Sequence, residues 1–325
     1  MLTFLSFSCG NNPLEIDVSD VNLTLTLKRF EQDLFSHKGD LTEKQIDDLN
    51  EKYTAFFQDF TQSVINVGAR NNPNFAYKLS DFTIDSYIKE VYDDVEKQYA
   101  DFSPYQKDLE AAFKHYKHYF PKKVVPEIIT YVSGFNYSII TDDHYLGIGL
   151  DMFLGSDYKA YPQLGYPQYK INTMTKDYLV VGAINGWVST EFELAEVQAN
   201  LLTEMIHQGK MLYLMDALMP KAENYLKIGY NKAQISWCEN NEKSIWFFFI
   251  DNELLYKKET KEIIKYMGEA PFTQGFPEGS PGRIGHYLGW QIVKAYMAKN
   301  PKITLEQLMQ QTDAQEILNQ SKYKP

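Results

Sequence analysis

One stretch constrains this chain more than any other: Glu193 to Pro220, ELAEVQANLLTEMIHQGKMLYLMDALMP, its longest strongly helix-periodic run. At about a hundred degrees per residue, Leu194, Val197, Leu201, Leu202, Met205, Gly209, Leu212 and Met219 share one broad face. Such a stripe has to be buried against other elements, so the spacing predicts a central helix. Thr203 and His207 fall nearly opposite the centre of that stripe, with Glu204 towards one edge. Asp216 falls on the apolar face and needs a partner if it is buried. Arg283, one of only three arginines with Arg29 and Arg70, is the candidate, because a guanidinium suits buried pairing better than an ammonium does. Gly285 and Gly289, four apart, give the helix that carries them a shallow groove, read as packing on the central helix near Gly209.

Thr203-Glu204-Met205-Ile206-His207 is an H-E-x-x-H zinc-protease motif with its first histidine replaced. That chemistry needs two imidazoles at i and i+4, a third ligand downstream, and a glutamate to polarise the metal-bound water. A threonine hydroxyl is a poor zinc ligand. Glu223 is placed to serve as the downstream carboxylate, which leaves His207 and Glu223 as the credible ligands, one short of a catalytic set. No metal or other cofactor is therefore assigned. The other enzyme signatures fail too: there is no G-x-S-x-G elbow, no Walker loop and no G-x-G-x-x-G after a strand.

Around this helix the pattern reads in order as a strand over Val21–Leu27, a brief helix to Phe35, and a helix from a Thr42/Gln45 capping box to about Val67. The Tyr53, Phe56, Phe57, Phe60 stripe of that helix faces a core. Further helices are expected from Ile84 to Tyr99 and from Ser103 to His118. The pair His115/His118 is read as a solvated face rather than a metal site. Ile128–Val132, Tyr137–Thr141 and Leu146–Leu150 read as three short strands, and Asp142, Asp143 and Asp151 as turn carboxylates. Gly155–Met174 reads as irregular, its tyrosines offering exposed aromatic surface to a partner. Two helices are expected within Ile228–Tyr256, then a Gly/Pro loop over Gly268–Gly282, a helix from Ser280-Pro281 to about Asn300, and a short pair starting at Thr304 and Asp313. The sum is α+β, predominantly helical, with a small antiparallel or mixed sheet and a zincin-like central helix whose metal site is degenerate. A single domain over 21–325 is expected, with a helical part over about 28–120, the sheet over about 127–152 and a second helical part over about 191–325.

With a formal charge of −11 the chain repels phosphate backbones, so nucleic acid is not an expected partner. Its two cysteines, Cys9 and Cys238, imply no disulfide framework. MLTFLSFSCG resembles the tail of a lipoprotein signal in which Cys9 is acylated, although no basic segment precedes it and Ser6 stands where leucine is usual. Residues 1–20 would then be a signal remnant and tether, which leaves open where the natural chain starts.

Taken together, KRFEQDLF, YLGIGLDMFLGSDY, EMIHQGKMLYLMDALMP, IGYNKAQISWCENNEKSIWFFFIDNELLY, SPGRIGHYLGWQIVKAYM and the closing ILNQSKY resemble the gliding-motility lipoprotein GldB family of Bacteroidota. The resemblance covers nearly all of the chain after Cys9. It implies a fold similar to gluzincin metallopeptidases without their metal ligands, and an envelope protein acylated on Cys9. It also implies a part in gliding motility or the associated type IX secretion machinery. Three functions are therefore carried forward: a non-catalytic lipid-anchored protein working through protein contacts, a zinc metallopeptidase with an unusual ligand set, and a periplasmic binding protein.

Overall fold

The computed structural model describes residues 12–37, 39–194, 200–277 and 279–325. Residues 12–26 run extended along the body, with Leu14, Ile16, Val18, Val21, Leu23 and Leu25 turned inward and polar neighbours outward. The expected tether is thus packed from Leu14 onwards, and Cys9 lies outside the described residues. The alternation expected for Val21–Leu27 is present. A hydrogen-bonded strand forms only at its end, β1 (Leu27–Arg29), followed by α1 (Phe30–Phe35).

The Thr42/Gln45 capping box is made on both sides and starts α2 (Glu43–Asp59), which ends in a π-helical turn over Phe60–Val64. Next come α3 (Phe75–Ile84), α4 (Ser86–Tyr99) and α5 (Ser103–Tyr119). The sheet adds β2 (Glu127–Tyr131), β3 (Ile139–Thr141) and β4 (Tyr145–Gly149), running into a 3-10 turn over Leu150–Phe153. Two short helices, α6 (Ala160–Gln163) and α7 (Gln168–Ile171), precede α8 (Lys176–Glu191) and the central α9 (Leu201–Leu218). After them come α10 (Asn224–Ile228), α11 (Lys232–Asp251), α12 (Thr260–Met267), α13 (Ile284–Lys299), α14 (Leu305–Gln310) and α15 (Ala314–Ser321).

The fold is α+β and predominantly helical, and its sheet is mixed. The strand order is β1-β2-β4-β3, with β1, β2 and β4 parallel and β3 antiparallel at the edge. Side chains alternate across it. Ile129, Tyr131 and Tyr145 face the N-terminal helices, while Ile128, Val132, Leu146 and Ile148 face the main helical core. On the first face the rings of Tyr53, Phe56 and Phe60 surround Phe30 at centroid distances of 4.8, 5.1 and 4.8 Å. The two glycines of β4 are set by close neighbours. A Cβ on Gly147 would meet the Ile140 side chain at 2.6 Å and Phe56 at 3.2 Å, and one on Gly149 would strike the Tyr137 carbonyl and meet the Tyr131 ring at 3.1 Å.

Helix α8 was not expected from the sequence. Its apolar residues (Leu179, Val180, Val181, Ala183, Ile184, Trp187, Val188) go round the axis instead of down one side, and all are buried. A helix enclosed on every side has no amphipathic period to read. α3 and α12 were passed over as well, and the start of α9 was placed too early. Residues 195–199, with Val197 among them, lie outside the described residues, and Leu194 is not helical.

Helix α9 meets α13 backbone to backbone. A Cβ on Gly209 would run into the Gly289 carbonyl and come within 2.8 Å of the Trp290 nitrogen. A Cβ on Gly289 would strike the Met205 carbonyl. Gly209 and Gly289 thus make the expected close approach, whereas Gly285 abuts Met267 and Tyr266 of α12 first and reaches α9 only at the Met205 side chain. Gly289→Ala should destabilise the fold by about 3 kcal/mol or more, because the obstacle is rigid helix backbone. Gly182→Ala in α8, whose nearest neighbour would be Phe153 at 3.8 Å, should stay within about 1 kcal/mol and lean towards stabilisation. Urea unfolding of the two variants makes the comparison.

Candidate functional site

Helix α9 brings three groups of polar residues into or against the core, and they lie at different heights along its axis. At its start, the Asn200 side chain accepts the Thr203 backbone N–H at 2.9 Å and the Thr203 hydroxyl at 3.0 Å. The N–H groups of Leu201 and Leu202 donate to the carbonyls of Lys257 and Leu255. Thr203, in the position of the missing zinc ligand, is thus tied into the cap that starts the helix.

One turn on, Glu204 and His207 are half-buried. Burial pushes the Glu204 carboxyl up, and burial together with the Lys210 charge pushes the His207 imidazole down to about 4. His286, from the first turn of α13, is pushed down to about 3 by burial, then by the Arg283 charge, with His207 adding a smaller push; its bond to Met267 opposes them. His286 Nε2 lies 3.1 Å from the Met267 carbonyl. A carbonyl can only accept, so Nε2 carries the proton. Both imidazoles are neutral at pH 7.

The remaining positions of the degenerate motif do not gather here. Glu223 is exposed beyond the other end of α9, and His207 to Leu218 alone spans about 16 Å of helix. Among the described residues no group of three or more His, Cys, Asp or Glu side chains is placed to hold a metal ion. Thr203 and His207 do lie on the less buried side of α9, as expected, but the helix is enclosed nearly all round, with 13 of its 18 residues buried. Lys210 is among them. Its Nζ donates to the carbonyls of Met309 (3.2 Å) and Gln311 (2.9 Å), closing the end of α14, and burial pushes it down to about 8.

The third group lies near the end of α9, and here the expected pairing is wrong. Asp216 is partnered not by Arg283 but by Lys227 of α10 (2.9 Å), the indole Nε1–H of Trp290 (2.8 Å) and Lys294 of α13 (3.5 Å). Helices α9 and α13 rise in the same direction: Gly285 and Gly289 lie beside Met205, and Trp290 and Lys294 beside Asp216. Arg283, at the start of α13, is therefore at the wrong end. It adopts a left-handed backbone (φ +56°), donates to the Gly229 carbonyl at 3.1 Å and pairs with Glu269 at 3.6 Å.

The Asp216 cluster forms the floor of an open cleft of about 840 Å3, walled by Leu14 and Ile16 of the N-terminal segment, by Tyr213, and by Met297 and Ile303. Sequence reasoning found Asp216 but missed Lys227 and Lys294. A lysine in the last turn of a short helix, or five residues before the end of α13, looks like solvated surface, and only the tertiary fold turns the two inward.

Three other expectations need correction. Asp151 is no turn carboxylate at the surface: it is fully buried and accepts the N–H groups of Phe135 (2.6 Å) and Ser133 (3.2 Å), and burial pushes it up to about 6. His115 is buried, not solvated, and only His118 is exposed. In the Gly155–Met174 segment the tyrosines turn inward. Tyr161 donates to the Asp151 carbonyl, Tyr166 to the Phe135 carbonyl and Tyr158 to the Asp94 carboxylate. Cys238 is buried in α11, where burial pushes its thiol up, away from the reactive thiolate. Glu31, wholly buried on Thr130 (2.7 Å) and Arg29, was not singled out from sequence.

The family model for gliding motility protein GldB matches residues 11–325, and the chain belongs to that family. The matched span takes in all three groups on α9. No curated protein and no solved structure matches the chain. Among the described residues no helix is long and apolar enough to cross a membrane.

The neutral histidines give the site a pH signature. Between pH 6.5 and about 4 the unfolded chain takes up protons that folded His207 and His286 refuse, so stability falls with pH, by at most about 1.4 kcal/mol per unit for each. Asp151, Glu31 and Glu204, whose folded carboxyls are raised, take up protons before their unfolded counterparts do and work in the opposite sense. The histidine share is isolated by difference. Urea unfolding at pH 7 and pH 5 should show a larger loss for the wild type than for the His207→Gln/His286→Gln variant. Equal losses would mean the imidazoles are not held neutral.

Proposed function

We propose that this protein is a lipid-anchored component of the cell envelope that serves gliding motility, or the associated type IX secretion machinery, through contacts with other proteins and without peptidase chemistry of its own. Membership of the GldB family over residues 11–325 carries the reading. Cys9 stands two residues before the matched span, and from Leu14 the chain is already docked on the body. An acyl group on Cys9 would therefore hold the domain close to the bilayer rather than on a long leash. The case against peptidase chemistry rests on Thr203, which is occupied by the helix cap, and on Glu223, which is remote from His207.

Envelope fractionation tests the anchor. Wild-type protein should remain with membranes after a high-salt wash, and Cys9→Ser should move to the soluble fraction; a retained Cys9→Ser protein counts against acylation at that position. Pull-down of the anchored protein should recover motility or secretion components. Elemental analysis addresses the chemistry separately: purified protein is expected to carry no stoichiometric zinc. One zinc per chain, lost in His207→Ala, would favour a metallopeptidase with an unusual ligand set over this reading.

A further inference from the structure

We propose that the cleft at the end of α9 binds an amphiphile with one anionic head group, its head on Lys294 above the Asp216 floor and its apolar chain against the walls. The charge count leads there. Among the described residues Asp216 is the only acid lining the cleft, and it faces two lysines, Lys227 and Lys294. The side chains of Asp216 and Lys227 are 8% and 3% exposed, so the pair is a desolvated unit of zero net charge. Lys294 then stands as one positive charge in excess, in a chain whose overall charge is −11.

Lys294 has donors to spare. An ammonium carries three, and its contact with Asp216 Oδ2, at 3.5 Å, is to an oxygen that already accepts the Trp290 indole at 2.8 Å. Below the ammonium lies the face of Trp290, 3.6 Å from Nζ to the ring centroid, which attracts the charge but accepts no conventional hydrogen bond. Burial pushes the Lys294 ammonium down even with Asp216 pulling it up, so the carboxylate does not fully replace lost water. Glu239, the other acid felt by Lys294, is exposed on α11 and does not line the cleft.

The walls select for more than a small anion. Leu14, Ile16, Tyr213, Met297 and Ile303 line a space of about 840 Å3, within the range of about 300–1,000 Å3 typical of small-molecule sites. Inorganic phosphate would leave most of that apolar surface wet. A carboxylate or phosphate head on an acyl chain fits both parts. Two walls belong to the N-terminal segment, so under the anchored reading the cleft opens beside the bilayer from which such a molecule would come. The binding itself does not depend on that reading.

Isothermal titration of the full chain tests the proposal, using palmitate, a single-chain lipid with a phosphate monoester head (both below their micelle concentrations), palmitate methyl ester and inorganic phosphate. One of the two anionic amphiphiles should bind at a single site, and which of them binds tighter identifies the head group. The methyl ester and inorganic phosphate should bind at least about tenfold more weakly, the loss expected when a charge-assisted contact or the apolar contact is removed. Lys294→Met should weaken the amphiphile about tenfold and Lys294→Arg should restore it. Ala298→Trp, at an exposed position on the wall, should block binding with the thermal melt unchanged, and keeps the test decisive if Lys294→Met fails to fold. Absence of binding by both amphiphiles overturns the proposal. So does a folded Lys294→Met that binds like wild type, or inorganic phosphate binding as tightly as the amphiphiles. The assay is done in solution, so a failure of the Cys9→Ser fractionation leaves it untouched.

Discussion

The crossing of α9 over α13 at Gly209 and Gly289 sets the positions of most of the polar groups that matter. Glycine on both sides lets two backbones touch, and van der Waals contact over that patch fixes the translation of one helix against the other. From that register the neighbours follow. Gly285 settles beside Met205, His286 comes near His207, and Trp290 and Lys294 reach Asp216. The next layer builds on α13: Tyr287 and Tyr323 donate to the two oxygens of Glu242, which ties the chain's last residues to α11.

Within that frame, each residue of the T-E-M-I-H-Q-G-K run except Gln208 has a describable place, and the places are mostly architectural. Thr203 completes a cap, Met205 and Gly209 carry the crossing, Ile206 is buried in the main core, and Lys210 closes α14. Glu204 and His207 are left half-buried, with the imidazole kept neutral by its surroundings. The charged chemistry of the helix is displaced to its far end, where Asp216 gathers two lysines and an indole at the floor of a cleft. A carboxylate there carries a desolvation cost that its partners offset, and removing Lys227 would take away its nearest and most buried counter-charge.

Local signals were legible wherever the code is local. The caps at Thr42, Thr304 and Asp313 begin helices where expected. The ring stripe from Tyr53 to Phe60 packs inward, and the β segments after Pro126 form the sheet within a residue or two. The errors share a cause. α8 has no polar side, so it gave no period to read; His115 and Asp151 carry residue types usual at surfaces but sit inside; and Arg283 was paired with Asp216 on residue chemistry alone, without the direction of α13.

By itself, the sequence determined the helix-rich α+β class, the centrality of α9, the close approach at Gly209 and Gly289, and, through the resemblance of whole segments, the GldB family. The first three depend on composition, periodicity or short spacing and the family on the likeness of long segments, all of which a linear chain displays. Only the tertiary structure decided that Thr203 caps the helix, that Glu223 stands apart from His207, and that Lys227 and Lys294 share Asp216. Those outcomes depend on the relative direction and register of helices tens of residues apart in sequence, set by how their surfaces pack and not by any local preference.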